Sequence, residues 1–182
     1  MSMFLLNLLR TGACLLLLTT SVTHARDLTP AHFFGTFQGS GFAEDKDSIY
    51  FGTTVRDLDV VIAPSGNGFN VTWTTIIRSG GDPLKPNVRR KTQTVTFAPT
   101  ENHNVFRGTS SGDPLSGNRY VWSKIEGNTM TVYIITISNS GAYNIQSYAR
   151  TLSGYGMELV FSRIRDGEPV RTARAKLTKA FN

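Results

Sequence analysis

The chain is short of the residues on which most metal and covalent chemistry depends. Its 182 residues include one cysteine, Cys14, and three histidines. Met1 to Ala25 reads as a secretory signal: Arg10 precedes the apolar run Ala13 to Leu18, and Thr23-His24-Ala25 offers a small-residue cleavage site. Four leucines follow Cys14 directly, so the apolar core continues where a lipoprotein cleavage site would end it. Removal of residues 1–25 takes Cys14 and His24 with it and leaves 26–182 as one domain, bound for the periplasm or the exterior. A thiol nucleophile, a Cys-ligated zinc and an iron–sulfur cluster are then excluded, and no disulfide can form.

His32 and His103 alone remain. A multi-histidine metal site is excluded in practice, and a Ser-His-Asp triad would have to use one of these two. His32 falls in Thr29-Pro30-Ala31-His32, a helix-start pattern with a cap and a proline at the first helical position. His103 lies in the polar turn Glu101-Asn102-His103-Asn104. Both read as solvated side chains. The sequence points to no metal and no cofactor.

Charge is sparse as well, at 18% of residues against 40% hydrophobic, a balance that excludes disorder. The excess is basic, 19 Lys and Arg against 13 Asp and Glu. Arg89-Arg90-Lys91 is the one basic cluster, too narrow for a nucleic-acid footprint. It reads as solvated loop charge first, and as a contact for an anionic ligand or surface second. After residue 26 no apolar run approaches the ~18 residues a membrane helix needs.

What the chain has in quantity is alternation at period two. Strands are expected near 34–43, 48–62, 68–78, 90–98, 104–110, 119–125, 129–138, 142–151, 157–165 and 169–178, separated by Gly-, Asn- and Asp-rich turns. A two-residue turn at Gly66-Asn67 sets Ile62 opposite Val71, Val60 opposite Trp73 and Arg56 opposite Ile77, all on one face. A three-residue turn at Asp166-Gly167-Glu168 sets Phe161 opposite Ala173 and Leu159 opposite Ala175. Carried back one hairpin, with Arg150 beside Glu158 in a charged outer row, the pattern places Tyr120, Trp122, Tyr133, Ile135, Tyr143 and Ile145 inside.

Consecutive antiparallel strands with short links would expose two edges unless the sheet closed. The architecture expected is an all-β up-and-down barrel of eight to ten strands with a short helical turn before the first; a two-sheet sandwich is the alternative. An outer-membrane barrel fits poorly, because the final strand alternates Thr172, Arg174 and Lys176 with Ala173, Ala175 and Leu177 and offers no lipid-facing aromatics.

The opening run Gly35-Thr36-Phe37-Gln38-Gly39-Ser40-Gly41 resembles the Gly-x-Trp start of calycin-type barrels: lipocalins, fatty-acid-binding proteins and avidins. Phe37 stands for the tryptophan, and Thr29-Pro30-Ala31-His32 resembles the turn that closes one end of those barrels. The resemblance implies a ligand-binding barrel. Nitrobindin-like haem barrels open with a similar run, but hold iron through a late histidine, and none follows His103. The polar and tryptophan ligand positions of avidins have no match.

The candidate ligand-binding residues are therefore Arg56, Phe69, Trp73, Tyr120, Trp122, Tyr133, Tyr143 and Phe161. The aromatics either wall a cavity or simply fill the barrel. Arg56 is either a carboxylate or phosphate anchor at the mouth or a rim side chain that snorkels to water. Asp57 and Asp59 point outwards together, and Glu44-Asp45-Lys46-Asp47 lacks the glycine of a calcium loop. Val121, Ile125, Met130, Val132, Ile134 and Val160 would form an apolar outer wall, which suggests a homo-oligomer interface or a local inversion of the sheet.

The chain thus reads as an exported, non-enzymatic barrel for a small hydrophobic or amphiphilic molecule, neutral or anionic. The alternatives are a filled barrel that self-associates and a barrel-type cyclase or isomerase, which would need converging polar groups inside.

Overall fold

The computed structural model describes residues 27–45, 54–78 and 88–180. The proposed signal lies outside them. Ten antiparallel strands follow one another among these residues: β1 (Gly35–Asp45), β2 (Thr54–Ser65), β3 (Gly68–Arg78), β4 (Val88–Pro99), β5 (Val105–Gly108), β6 (Tyr120–Glu126), β7 (Thr129–Ile137), β8 (Tyr143–Ser153), β9 (Gly156–Arg165) and β10 (Glu168–Ala180). Each strand pairs with its neighbours in sequence, and β1 pairs with β10. The sheet closes, so no edge is left among these strands to template association.

Turn chemistry fixes the register. Gly66 takes a left-handed φ of 56° in the two-residue turn between Ser65 and Gly68, and Ile62 faces Val71, Val60 faces Trp73 and Arg56 faces Ile77 as expected. At the seam, β1 lies so close to β10 that a Cβ on Gly39 would meet the carbonyl oxygen of Lys176, and one on Gly41 that of Arg174. The glycines of the opening run are thus a steric requirement of closure.

One end is plugged. The 3₁₀ turn Pro30–Phe33 drives Phe33 fully into the core beside Phe37. Asp27 ties this segment to the β6–β7 turn: its Oδ1 accepts from the Gly127 N–H at 2.7 Å and its Oδ2 from Asn104 Nδ2 at 3.3 Å. These bonds hold its carboxyl below the ordinary value. Above the plug the lower half of the barrel is solid, packed with Ile62, Phe69, Val71, Val95, Phe97, Phe106, Ile125, Met130, Met157 and Leu177. Phe69 stacks on Phe97 at 5.1 Å and meets Phe106 edge-on at 5.0 Å.

Two hairpins depart from the expected turns, with opposite consequences. Between β9 and β10 the turn is Asp166-Gly167, one residue shorter than expected, but the register shifts by one between Pro169 and Arg171. The bulge restores the count, so Phe161 still faces Ala173 and Leu159 still faces Ala175. Between β8 and β9 the turn is Gly154-Tyr155, which sets Arg150 opposite Leu159 and Thr151 opposite Glu158. No bulge compensates there.

That one-residue offset reverses every side chain of β8 and, through it, of β7 and β6. Val121, Ile125, Met130, Val132 and Ile134 are buried inside the barrel, and the apolar outer wall expected from them does not exist. Val160 alone of that set stays outside, 38% exposed. Tyr120, Trp122, Tyr133 and Tyr143, expected inside, belong to the outer face with Ile135 and Ile145. There Trp122 stacks on Tyr133 at 4.9 Å, Tyr120 leans on Trp122 at 5.9 Å, and the Arg107 guanidinium lies 5.6 Å from the Tyr120 ring.

Candidate functional site

The two halves of the barrel differ because their inward-facing residues differ. Along β2 the inner positions run Ile62, Val60, Leu58, Arg56; along β4 they run Phe97, Val95, Gln93, Lys91, Arg89; along β9 they run Met157, Leu159, Phe161, Arg163. Each strand turns from apolar to cationic in the same direction. At the level of Trp73 the core stops, and above it opens a chamber of about 450 Å³.

The floor of the chamber is aromatic. Trp73 on β3 reaches across to Tyr148 on β8, with ring centroids 5.0 Å apart, and Tyr148 in turn lies 4.8 Å from Phe161 on β9. The walls are Leu58, Ile77, Ile134, Leu159 and Ala173, with Thr75, Gln93, Thr136 and Gln146 as the polar positions. The Tyr148 hydroxyl donates to Gln146 Oε1 at 2.9 Å. Burial pushes its phenol up, so it remains a neutral donor across the physiological range.

The mouth is cationic. Arg56, Arg89, Lys91, Arg119, Arg163, Arg171 and Arg174 border the chamber, and among the described lining residues there is no Asp or Glu. Arg163 and Arg171 stand directly opposite each other on β9 and β10. The Asn144 amide, turned with its oxygen towards Arg163, accepts from Arg163 Nε at 2.8 Å and Nη2 at 2.7 Å. Such a ring, over low-dielectric walls, concentrates positive potential where a ligand would enter. Directly opposed like charges on a sheet are destabilising in themselves.

Beneath the floor lies Arg150. It is fully buried, its guanidinium 5.4 Å from the Trp73 ring and 5.7 Å from Tyr148. Nη1 donates to the Tyr148 carbonyl at 3.2 Å, while Nε and Nη2 have no hydrogen-bond partner among the described residues. Burial pushes the guanidinium down to about 10, still charged at neutral pH. The two rings supply the compensation that a carboxylate otherwise gives a buried cation.

Of the residues expected to bind ligand, the structure brings Arg56, Trp73 and Phe161 together around the chamber. Phe69 lies two inward positions deeper, in the solid half. Tyr120, Trp122, Tyr133 and Tyr143 are outside it, for the register reason given above. The same offset hides Tyr148, Arg150 and Gln146 from a reading of the sequence. Arg163 is legible there, since it follows Phe161 by two on the inner face of its strand. Arg89 and Lys91 are legible too, from their alternation with Val95 and Phe97. Asp57 and Asp59 face outwards, opposite Ser40 and Gln38. No helix among the described residues is long and apolar enough to cross a membrane.

No protein-family model matches the chain, and no curated protein sequence does. Among solved structures it is similar to the S-type phycobiliprotein lyase CPES from Guillardia theta, at 7% identity and a TM-score of 0.38, over 85% of this chain and 94% of that one. The expectation of a non-enzymatic protein does not stand, since the similar structure is that of a lyase. A likeness this distant says nothing of the chemistry performed here.

Proposed function

We propose that this is a calycin-type binding barrel for an anionic amphiphile, held with its apolar body on the Trp73–Tyr148–Phe161 floor and its acidic group among the arginines of the mouth. One observation carries the reading: a chamber of about 450 Å³ with apolar walls whose described border has seven Lys or Arg and no carboxylate. The volume lies in the range that small-molecule sites occupy, about 300–1,000 Å³. Arginine suits carboxylate or phosphate because its planar fork donates two parallel hydrogen bonds. A filled barrel would give that ring no chamber to guard.

The opening run from Gly35 to Gly41, the 3₁₀ plug and the ten-strand meander support the calycin assignment, and residues 1–25 support export to the periplasm or beyond. Native mass spectrometry of the purified protein tests the ligand class. An adduct that is acidic and carries an alkyl or aromatic body supports the reading; a polar, cationic or sugar-like adduct overturns it.

A further inference from the structure

A second pattern rings the mouth, and of its apolar members only Phe42 also borders the chamber. Phe42, Val55 and Val88 are 62%, 55% and 47% exposed. Phe42 sits opposite Val55 on β2 and opposite the exposed Arg174 on β10, and Val88 opens β4 at the same end of the barrel. All three belong to the outer face. Arg90, two positions beyond Val88 on that face, is exposed, and Arg89 and Lys91 alternate with it towards the lumen. Single exposed apolar side chains are ordinary. Three at one rim, interleaved with arginine and lysine around the entrance to an apolar chamber, form an arrangement with one good physical partner.

We infer that the rim formed by β1, β2 and β4 docks on an anionic lipid surface. Phe42, Val55 and Val88 would enter the boundary between headgroups and acyl chains, while Arg89, Arg90 and Lys91 meet lipid phosphates. A soluble polyanion would use the cations and leave the apolar side chains in water. A protein partner would favour a contiguous apolar groove, whereas Val88 on β4 stands two strands away from the Phe42–Val55 pair. Asp166 and Glu168, at this end of the barrel, lie by the β9–β10 turn, away from β2 and β4, and Asp166 is engaged by the Tyr143 N–H at 2.8 Å. Asp57 is two positions further from the rim than Val55. Glu44 shares the outer face with Phe42 and weakens the local field without reversing it. Docked in this way, the mouth opens directly onto the phase in which amphiphiles reside. Docking shares Phe42, Arg89 and Lys91 with the chamber border, but it holds whatever the chamber takes.

Co-sedimentation of the full protein with phosphatidylcholine vesicles, with and without phosphatidylglycerol, tests it. The protein should sediment with the anionic vesicles, weakly with neutral ones, and less as salt is raised. Val55→Ser and Val88→Ser combined, neither of which borders the chamber, should keep the circular dichroism spectrum and reduce partition several-fold; Arg90→Gln, also outside the chamber lining, should reduce partition to anionic vesicles about fivefold. Failure of the wild type to sediment overturns the inference. So does a serine variant that sediments like wild type, since attraction by charge alone would then explain the binding and heparin should compete equally well. Fatty-acid binding in solution, read separately, remains intact or fails on its own and so distinguishes the chamber from the rim.

Discussion

Trp73 and Tyr148 face each other from opposite walls of the barrel with ring centroids 5.0 Å apart, and that contact separates the solid half from the open one. Below it Arg150 is sealed from water; above it the chamber begins. Trp73 thus serves the core and the site at once. Trp73→Ala removes the largest part of the floor and should cost about 3–5 kcal/mol of stability, as large aromatic truncations in cores do. Denaturant unfolding measures this. The same variant should weaken binding of a fatty carboxylate, whereas a stability loss below about 1 kcal/mol would mean that the floor is not packed as described.

Arg150 is a buried cation with no carboxylate against it among the described residues. Burial depresses its pKa from the ordinary arginine value to about 10, a net cost to folding that its ring contacts do not cancel. Arg150→Met should therefore leave the protein as stable as wild type at pH 7, or more so. The sign with pH follows from proton binding. Above about pH 10, and below the ordinary arginine pKa, the unfolded chain holds the proton that the folded chain has lost, so wild-type stability gains as pH rises. The advantage of the methionine variant should shrink above about pH 10. Urea titrations of both proteins at about pH 8 and about pH 11 measure it, and an advantage that grows would contradict the burial cost.

The reversal of β6 to β8 gives a sharp contrast between sequence neighbours. Val132 is fully buried and Tyr133 lies on the outer wall against Trp122. Val132→Asp should cost upwards of about 3 kcal/mol or prevent folding, because a carboxylate would be left unpaired in the core. Tyr133→Asp should cost about 1 kcal/mol, the loss of one surface stacking contact. Thermal melts of the two variants compare them. Equal effects, or the opposite order, would restore the inverted sheet.

Closure can be tested at its seam. Gly41→Val places a branched side chain against the Arg174 carbonyl and the Ala175 side chain, where even a Cβ has no room. A loss of about 1–3 kcal/mol is expected from the forced backbone shift. Gly127→Val is not a suitable control, because that glycine has a left-handed φ of 56°. Thr172→Val, on the outer face of β10, is one. Melting temperatures of the two variants decide the point: the seam variant should fall well below the control.

The order of strands is readable in the sequence because β-branched and aromatic runs, most of them alternating at period two, are cut by turn residues at regular intervals. The apolar inside is readable wherever the turn length is. At Gly66-Asn67 the turn residues set the count directly. At Asp166-Gly167 the expected turn is one residue too long, and the bulge before Arg171 cancels the difference. At Gly154-Tyr155 nothing cancels it. Two things conceal the true register there: Arg150, a charge that belongs outside by every ordinary rule, and a β7 strand apolar on both faces, Met130, Val132 and Ile134 on one and Tyr133 and Ile135 on the other. Where both faces are apolar, alternation loses its power to choose between them. The cationic mouth is half visible, in Arg56 on an inner row. The rest of the ring comes from β4, β9, β10 and the approach to β6, and only closure brings it together.

The central claim is that the chamber prefers a negative head on an apolar body. Trp73 fluorescence reads its floor, and Trp122→Phe removes the signal of the outer wall. Titration of that variant with dodecanoate and with dodecanol should move Trp73 emission for both, with the carboxylate bound at least about tenfold more tightly at low salt. The preference should fall when Arg56 and Arg163 are both changed to Gln. Equal affinity for acid and alcohol, or no change in Trp73 emission with either, would contradict the claim.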